Sequence, residues 1–148
     1  MPTADDAATQ AQLRALAERY ALGVDRRDVE TFIALFHADA VITIHDPSET
    51  EEPRQIRGAE RLAKVPEAIK RYPKTFHMLG QSTYDIGDGE ATGEVYCIAH
   101  HVFSADGARQ IMVAYLRYID SYVKQSASWL SAERNLYLEF SDTRALGG

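Results

Sequence analysis

Few side chains in this chain of 148 residues can move a proton near neutral pH. There are five histidines and one cysteine, Cys97. His77 is the first candidate for chemistry, because an imidazole titrates near neutrality and can take a proton and return it. It lies in an alternating stretch, Thr75 to Ile86, in which every second residue shares a face. The alternation groups His77 with Leu79, Gln81 and Thr83, and sets Phe76, Met78, Ser82 and Tyr84 on the other side. A lone histidine is usually bonded to a backbone group for structural reasons. A basic one needs a carboxylate that orients it and stabilises its charged form. Asp25 can do that, or it can cap the helix that follows it, a task open also to Asp28.

His100 and His101 are neighbours on another extended stretch, so their side chains take opposite faces. One at most reaches an interior cavity, and the two cannot chelate one metal ion. Arg134 alternates with Ala132 and Leu136, and among such neighbours it needs a partner, because a buried unpaired charge is costly. That partner is either a substrate oxygen or leaving group, or an acidic residue on an adjacent strand or second subunit. Tyr20, Tyr96, Tyr115 and Tyr118 are amphipathic wall or core residues. Cys97 reads as a small buried hydrophobe.

The elements that must position these residues follow from periodicity. Thr9 to Leu22 predicts a helix, with Leu13, Leu16, Ala17 and Tyr20 at helical spacing and Gly23 as its stop. A second helix opens after Asp25–Asp28 and buries Val29, Phe32, Ile33 and Phe36. Ala40 to His45 predicts a strand, and Arg54 to Gly58 a short one. Between them, Asp46 to Pro53 is acidic and proline-bounded and predicts an exposed loop able to gate a pocket. A third helix is expected from Ala59 toward Lys70, kinked or restarted at Pro66. Four long strands then follow: Thr75–Ile86, Glu90–Ser104, Arg109–Tyr122 and Trp129–Asp142. Strands this long must twist and bend, leaving a concave face for the helices to cover and a cone-shaped cavity between. The order predicts one α+β domain over 1–148, frayed at 1–8 and 145–148.

Composition excludes several classes. Net charge is −6 and Lys and Arg do not cluster, which argues against nucleic acid. No apolar run reaches membrane-spanning length and no signal-peptide pattern opens the chain, so a cytoplasmic location is expected. The histidines show no metal-ligand spacing and no Gly-rich phosphate loop occurs, so neither metal nor nucleotide cofactor is expected. Both faces of Arg109–Tyr122 carry apolar residues, which predicts a homo-oligomer of two or three subunits.

Several segments resemble the SnoaL-like (nuclear transport factor 2-like) family. They are Tyr20-Ala21-Leu22-Gly23-Val24-Asp25-Arg26-Arg27-Asp28, Phe36-His37-Ala38-Asp39-Ala40-Val41, Phe76-His77-Met78-Leu79-Gly80-Gln81 and Trp129-Leu130-Ser131-Ala132-Glu133-Arg134. The resemblance covers nearly the whole chain, in the same order. It implies a cone-shaped curved sheet, mostly antiparallel, with three N-terminal helices around one pocket. The family's scytalone dehydratase, bile-acid 7α-dehydratase and hexachlorocyclohexane dehydrochlorinase branches imply more. Asp25 and His77 match a cofactor-free proton-abstracting pair, Tyr20 a pocket tyrosine, His100 a second pocket histidine, and Arg134 a last-strand pocket arginine. The resemblance thus implies a dehydratase-type lyase acting on a small, cyclic, apolar substrate, with a ketosteroid-type isomerase or a non-catalytic binding or assembly module as alternatives.

Overall fold

The computed structural model describes residues 3–147. Met1, Pro2 and Gly148, expected to fray, lie outside them. The first helix, α1 (Ala4–Asp25), starts earlier than its apolar periodicity shows. Thr3 is its N-cap: the Asp6 N–H donates to Thr3 Oγ1 at 3.1 Å, and the Thr3 N–H donates to Asp6 Oδ2 at 2.9 Å. The expectation of a frayed 1–8 segment is therefore corrected over Thr3–Ala8, because the capping box supplies partners for the end of the helix. Gly23 does not stop α1 either. It lies where Phe32 crosses, and a Cβ there would stand 3.2 Å from the Phe32 Cβ. The glycine thus permits close packing between α1 and α2 (Val29–Ile33). Asp28 caps α2, accepting from the Thr31 N–H at 3.1 Å, which leaves the Asp25 carboxylate free for other partners.

Strand β1 (Phe36–His45) begins four residues before the expected start at Ala40, and β2 (Arg54–Arg57) pairs with it antiparallel. The expected third helix divides into α3 (Ala59–Leu62), α4 (Val65–Ala68) and a single 3₁₀ turn, Ile69–Arg71. Pro66 stands in the first turn of α4, where its missing N–H is harmless, and so it opens a new helix. The four long strands are β3 (Lys74–Ile86), β4 (Glu90–Ala105), β5 (Ala108–Gln125) and β6 (Ser128–Ala145). Sheet order is β2-β1-β6-β5-β4-β3, with β1 parallel to β6 and the other pairs antiparallel. The β4–β5 turn places Asp106 and Gly107 at φ 52° and 78°, as a tight two-residue hairpin requires.

Register shifts occur in β3 between Leu79 and Ser82, and between β5 and β6 at two places. Such bulges bend the sheet around α1 and α2. The β3 shift also inverts the side-chain phase. Thr75, His77 and Leu79 point inward, then Ser82, Tyr84 and Ile86 do, while Gln81 and Thr83 are exposed. The strict alternation that grouped Gln81 and Thr83 with His77 is thereby corrected. The core joins Leu13, Leu16, Tyr20 and Phe32 to Ile42, Val95, Cys97, Tyr118 and Tyr122. Among the described residues no helix is long and apolar enough to cross a membrane.

Candidate active site

The end of α1 and the start of β3 bring Asp25 and His77 together. His77 Nδ1 lies 2.7 Å from Asp25 Oδ1, and the His77 backbone N–H donates to Asp25 Oδ2 at 2.8 Å. Thr75, two residues earlier and on the same face of β3, donates its hydroxyl proton to Asp25 Oδ1 at 2.9 Å. The carboxylate thus receives three donors. A carboxylate can only accept, so Nδ1 carries the proton and Nε2 keeps the lone pair. Burial raises the Asp25 pKa, but the donors from His77 and Thr75 outweigh it and hold the group below the ordinary aspartate value. The pair is sheltered without being sealed: 7% of the His77 side-chain surface and 21% of that of Asp25 stay open.

His101 on β4 stands beside this pair, its ring edge-to-face with His77 at 5.9 Å. Its Nδ1 lies 3.3 Å from the Met112 carbonyl oxygen, and Tyr72 packs on it at 4.8 Å between ring centres. Burial, with His77 nearby, pushes the His101 pKa down to about 4, so this imidazole is neutral at physiological pH. His101 and Tyr72 form part of the wall of a cavity of about 330 Å³. The remaining wall is mixed: Ile44, Met112, Leu116, Leu136 and Leu138 give it an aliphatic part, and Asp46, Glu49, Arg54 and Arg71 a charged one. His77 is not itself in the lining; it meets this wall through its ring contact with His101.

His100 takes the opposite face. Its Nδ1 lies 3.0 Å from the Phe76 carbonyl oxygen on the outer side of the sheet. The expectation that His100 is the second pocket histidine is corrected to His101: inward positions on β4 run Val95, Cys97, Ala99, His101. Arg134 and Tyr20 form a separate buried cluster. Arg134 donates from Nε to Asp120 Oδ1 at 2.9 Å and from Nη2 to Asp120 Oδ2 at 2.8 Å, while the Tyr122 hydroxyl donates to Asp120 Oδ2 at 2.9 Å. Of the two partners open to Arg134, the structure supplies the acidic residue on an adjacent strand. The guanidinium carbon stands 4.3 Å from the Tyr20 ring centre and 3.9 Å from that of Tyr118. Burial opposes the charge on Arg134, but Asp120 prevails and raises the Arg134 pKa above its usual value. Burial likewise lifts the Cys97 thiol to about 11, which makes it unreactive. Among the described residues no group of His, Cys, Asp and Glu could hold a metal ion.

The SnoaL-like domain family matches residues 5–135. The chain belongs to that family. No curated protein matches it. Solved structures similar to it include a hexachlorocyclohexane dehydrochlorinase, LinA type 2, at 18% identity and a TM-score of 0.80, with 97% of this chain and 93% of that one covered. A protein of Novosphingobium aromaticivorans, provisionally named a scytalone dehydratase, is 19% identical with a TM-score of 0.78, covering 97% and 92%. A Mycobacterium tuberculosis protein of unknown function is 22% identical with a TM-score of 0.78, covering 94% and 76%. At these identities the likeness is one of fold, a SnoaL-like curled sheet of α+β class.

The surroundings of the pair in this SnoaL-like chain include residues that pattern alone does not select. His101 and His100 share a strand on which both faces are apolar, so alternation cannot say which side is inner. Thr75 reads as an ordinary strand residue until the Asp25 carboxylate is placed against it. Asp120 is one acid among 22, marked only by lying opposite Arg134 once β5 and β6 are in register.

Proposed function

We propose that this SnoaL-like chain is a cofactor-free lyase, a dehydratase acting on a small, cyclic, mainly apolar substrate. The observation that carries the reading is the 2.7 Å contact between Asp25 Oδ1 and His77 Nδ1, which leaves Nε2 as a base. His77 takes a proton from carbon, and Asp25 stabilises the imidazolium that forms. The C–H electron pair becomes the new double bond. The leaving hydroxyl departs with its bonding pair and receives the proton from His77, so that water and an alkene result. His101, neutral at physiological pH, serves as a hydrogen-bond acceptor on the cavity wall and not as the acid. The aliphatic part of the wall, Met112, Leu116, Leu136 and Leu138, favours an apolar ring, and about 330 Å³ suits a small one. Two of the similar structures carry names of eliminating enzymes, which agrees with the class. A binding-only module has no need of a carboxylate held against an imidazole by three donors.

The test is incubation of the enzyme with a panel of cyclic β-hydroxy ketones, followed by mass spectrometry. Loss of one water by the wild type and not by His77→Ala is expected. Product formation at equal rates with both proteins would overturn the assignment.

A further inference from the structure

The Asp25 carboxylate is held by more than its histidine. Thr75 Oγ1, on a residue only 3% exposed, donates to Asp25 Oδ1 at 2.9 Å and itself accepts from Arg27 Nη1. Arg27 lies two residues beyond Asp25 and has a left-handed backbone, φ 57°. That conformation disfavours a residue with a side chain. Here it turns the guanidinium back over the end of α1. Nη1 reaches the Val24 carbonyl oxygen at 2.9 Å and that of Asp25 at 3.2 Å, and Nη2 reaches the Tyr72 carbonyl oxygen at 2.8 Å. Arginine can only donate and a carboxylate can only accept. The hydroxyl between them therefore has a fixed sense: it accepts from Arg27 and gives its proton to Asp25.

We infer that Thr75 and Arg27 are positioning residues that set the strength of the base at His77 by dividing the Asp25 charge among fixed donors. The inference rests on the Asp25–His77 reading above. A carboxylate that spends part of its charge on a hydroxyl stabilises an imidazolium less. Without that hydroxyl relay, more of the carboxylate charge would fall on the imidazole and strengthen the base. The other charged or titratable groups around His77 are Asp25 at the end of α1, Arg27 beyond it and His101 on β4, with Arg71 acting on His101 from the 3₁₀ turn. Of these, Arg27 and Asp25 bond the Thr75 hydroxyl, one on each side.

The experiment follows the His77 imidazole titration by NMR in the full chain. Thr75→Val removes the donor at nearly constant volume and should shift the His77 pKa upward by about half to one pH unit. Thr75→Ser should restore the wild-type value. Arg27→Gln, which takes a positive charge away from the same carboxylate, should also shift it upward, and it decides the matter if Thr75→Val does not fold. A His77 pKa in Thr75→Val within about 0.2 unit of wild type overturns the inference, as does an equal shift in Thr75→Ser. If Thr75→Val does not fold, an unchanged Arg27→Gln value does the same. Asp25→Asn separates the layers. If it leaves the His77 titration unchanged, the pair itself fails; if it lowers the His77 pKa while Thr75→Val has no effect, only the relay fails.

Discussion

At the scale of single residues, two buried groups make opposite demands on pH and on pairing. His101 has a pKa of about 4 when folded, against an ordinary histidine value near 6.5. Between these values the unfolded chain binds the extra proton, so stability rises with pH across that window and falls as pH drops from about 6.5 to about 4. The loss approaches about 3 kcal/mol on that difference of pKa values. His101→Gln should abolish this part of the slope, a difference readable from melting temperatures of both proteins between pH 4 and 7. Parallel curves for the two proteins would contradict a buried neutral His101. Arg134 makes the other demand. Arg134→Met leaves Asp120 as a buried unpaired charge, a loss of about 3–5 kcal/mol. Adding Asp120→Leu should recover most of it in urea unfolding, because the uncompensated charge is then gone. Equal losses in the single and double variants would show that packing, and not charge, holds the cluster.

At the scale of elements, the acid that caps and the acid that serves the histidine are neighbours with different tasks. Asp28→Ala should lower stability by about 1 kcal/mol through loss of the α2 cap, and leave the His77 titration where it was. Movement of that titration would mean that the two acids share one function. The helix and strand order was legible because it rests on strong local signals: Leu13, Leu16 and Tyr20 at helical spacing, Gly87 to Gly89, and Asp106-Gly107. The Asp25–His77 pairing was legible only through the family resemblance, since 52 residues of chain separate the two. The bulge after Leu79 was not legible. A one-residue insertion leaves no periodic trace over so few positions, and it inverts the phase of Gln81 and Thr83. The Asp46–Pro53 loop remains a proposed gate. Asp46, Ser48 and Glu49 line the cavity, and Asp46 accepts the Ser48 N–H at 3.0 Å in a local turn. Amide exchange in Ser48–Glu52 should be fast in the free protein and slow when the cavity is filled; exchange that ignores ligand would count against gating.

At the scale of the molecule, the outer face of the sheet carries an exposed apolar patch. Phe76, Met78, Tyr96, Ile98 and Phe140 are all exposed, and Phe140 stacks on Tyr115 at 4.3 Å. Ile111 and Val113 on β5 are covered within the chain, and most of the open patch lies on β3 and β4. Such patches are uncommon on monomers. A dimer or trimer is therefore the expected state, and Phe140→Asp with Ile98→Asp should disperse it. Light scattering that finds wild type at the 16.5 kDa chain mass would refute this. The most direct test of the whole account is turnover on a cyclic hydroxy ketone accepted by the enzyme, measured in excess chelator. Wild type should remain active, while His77→Ala and Asp25→Asn should lose about 10²–10⁴-fold in kcat and still bind the ligand. Activity in His77→Ala within about threefold of wild type, or a wild-type activity that chelation abolishes and added metal restores, would contradict a reaction run by the Asp25–His77 pair.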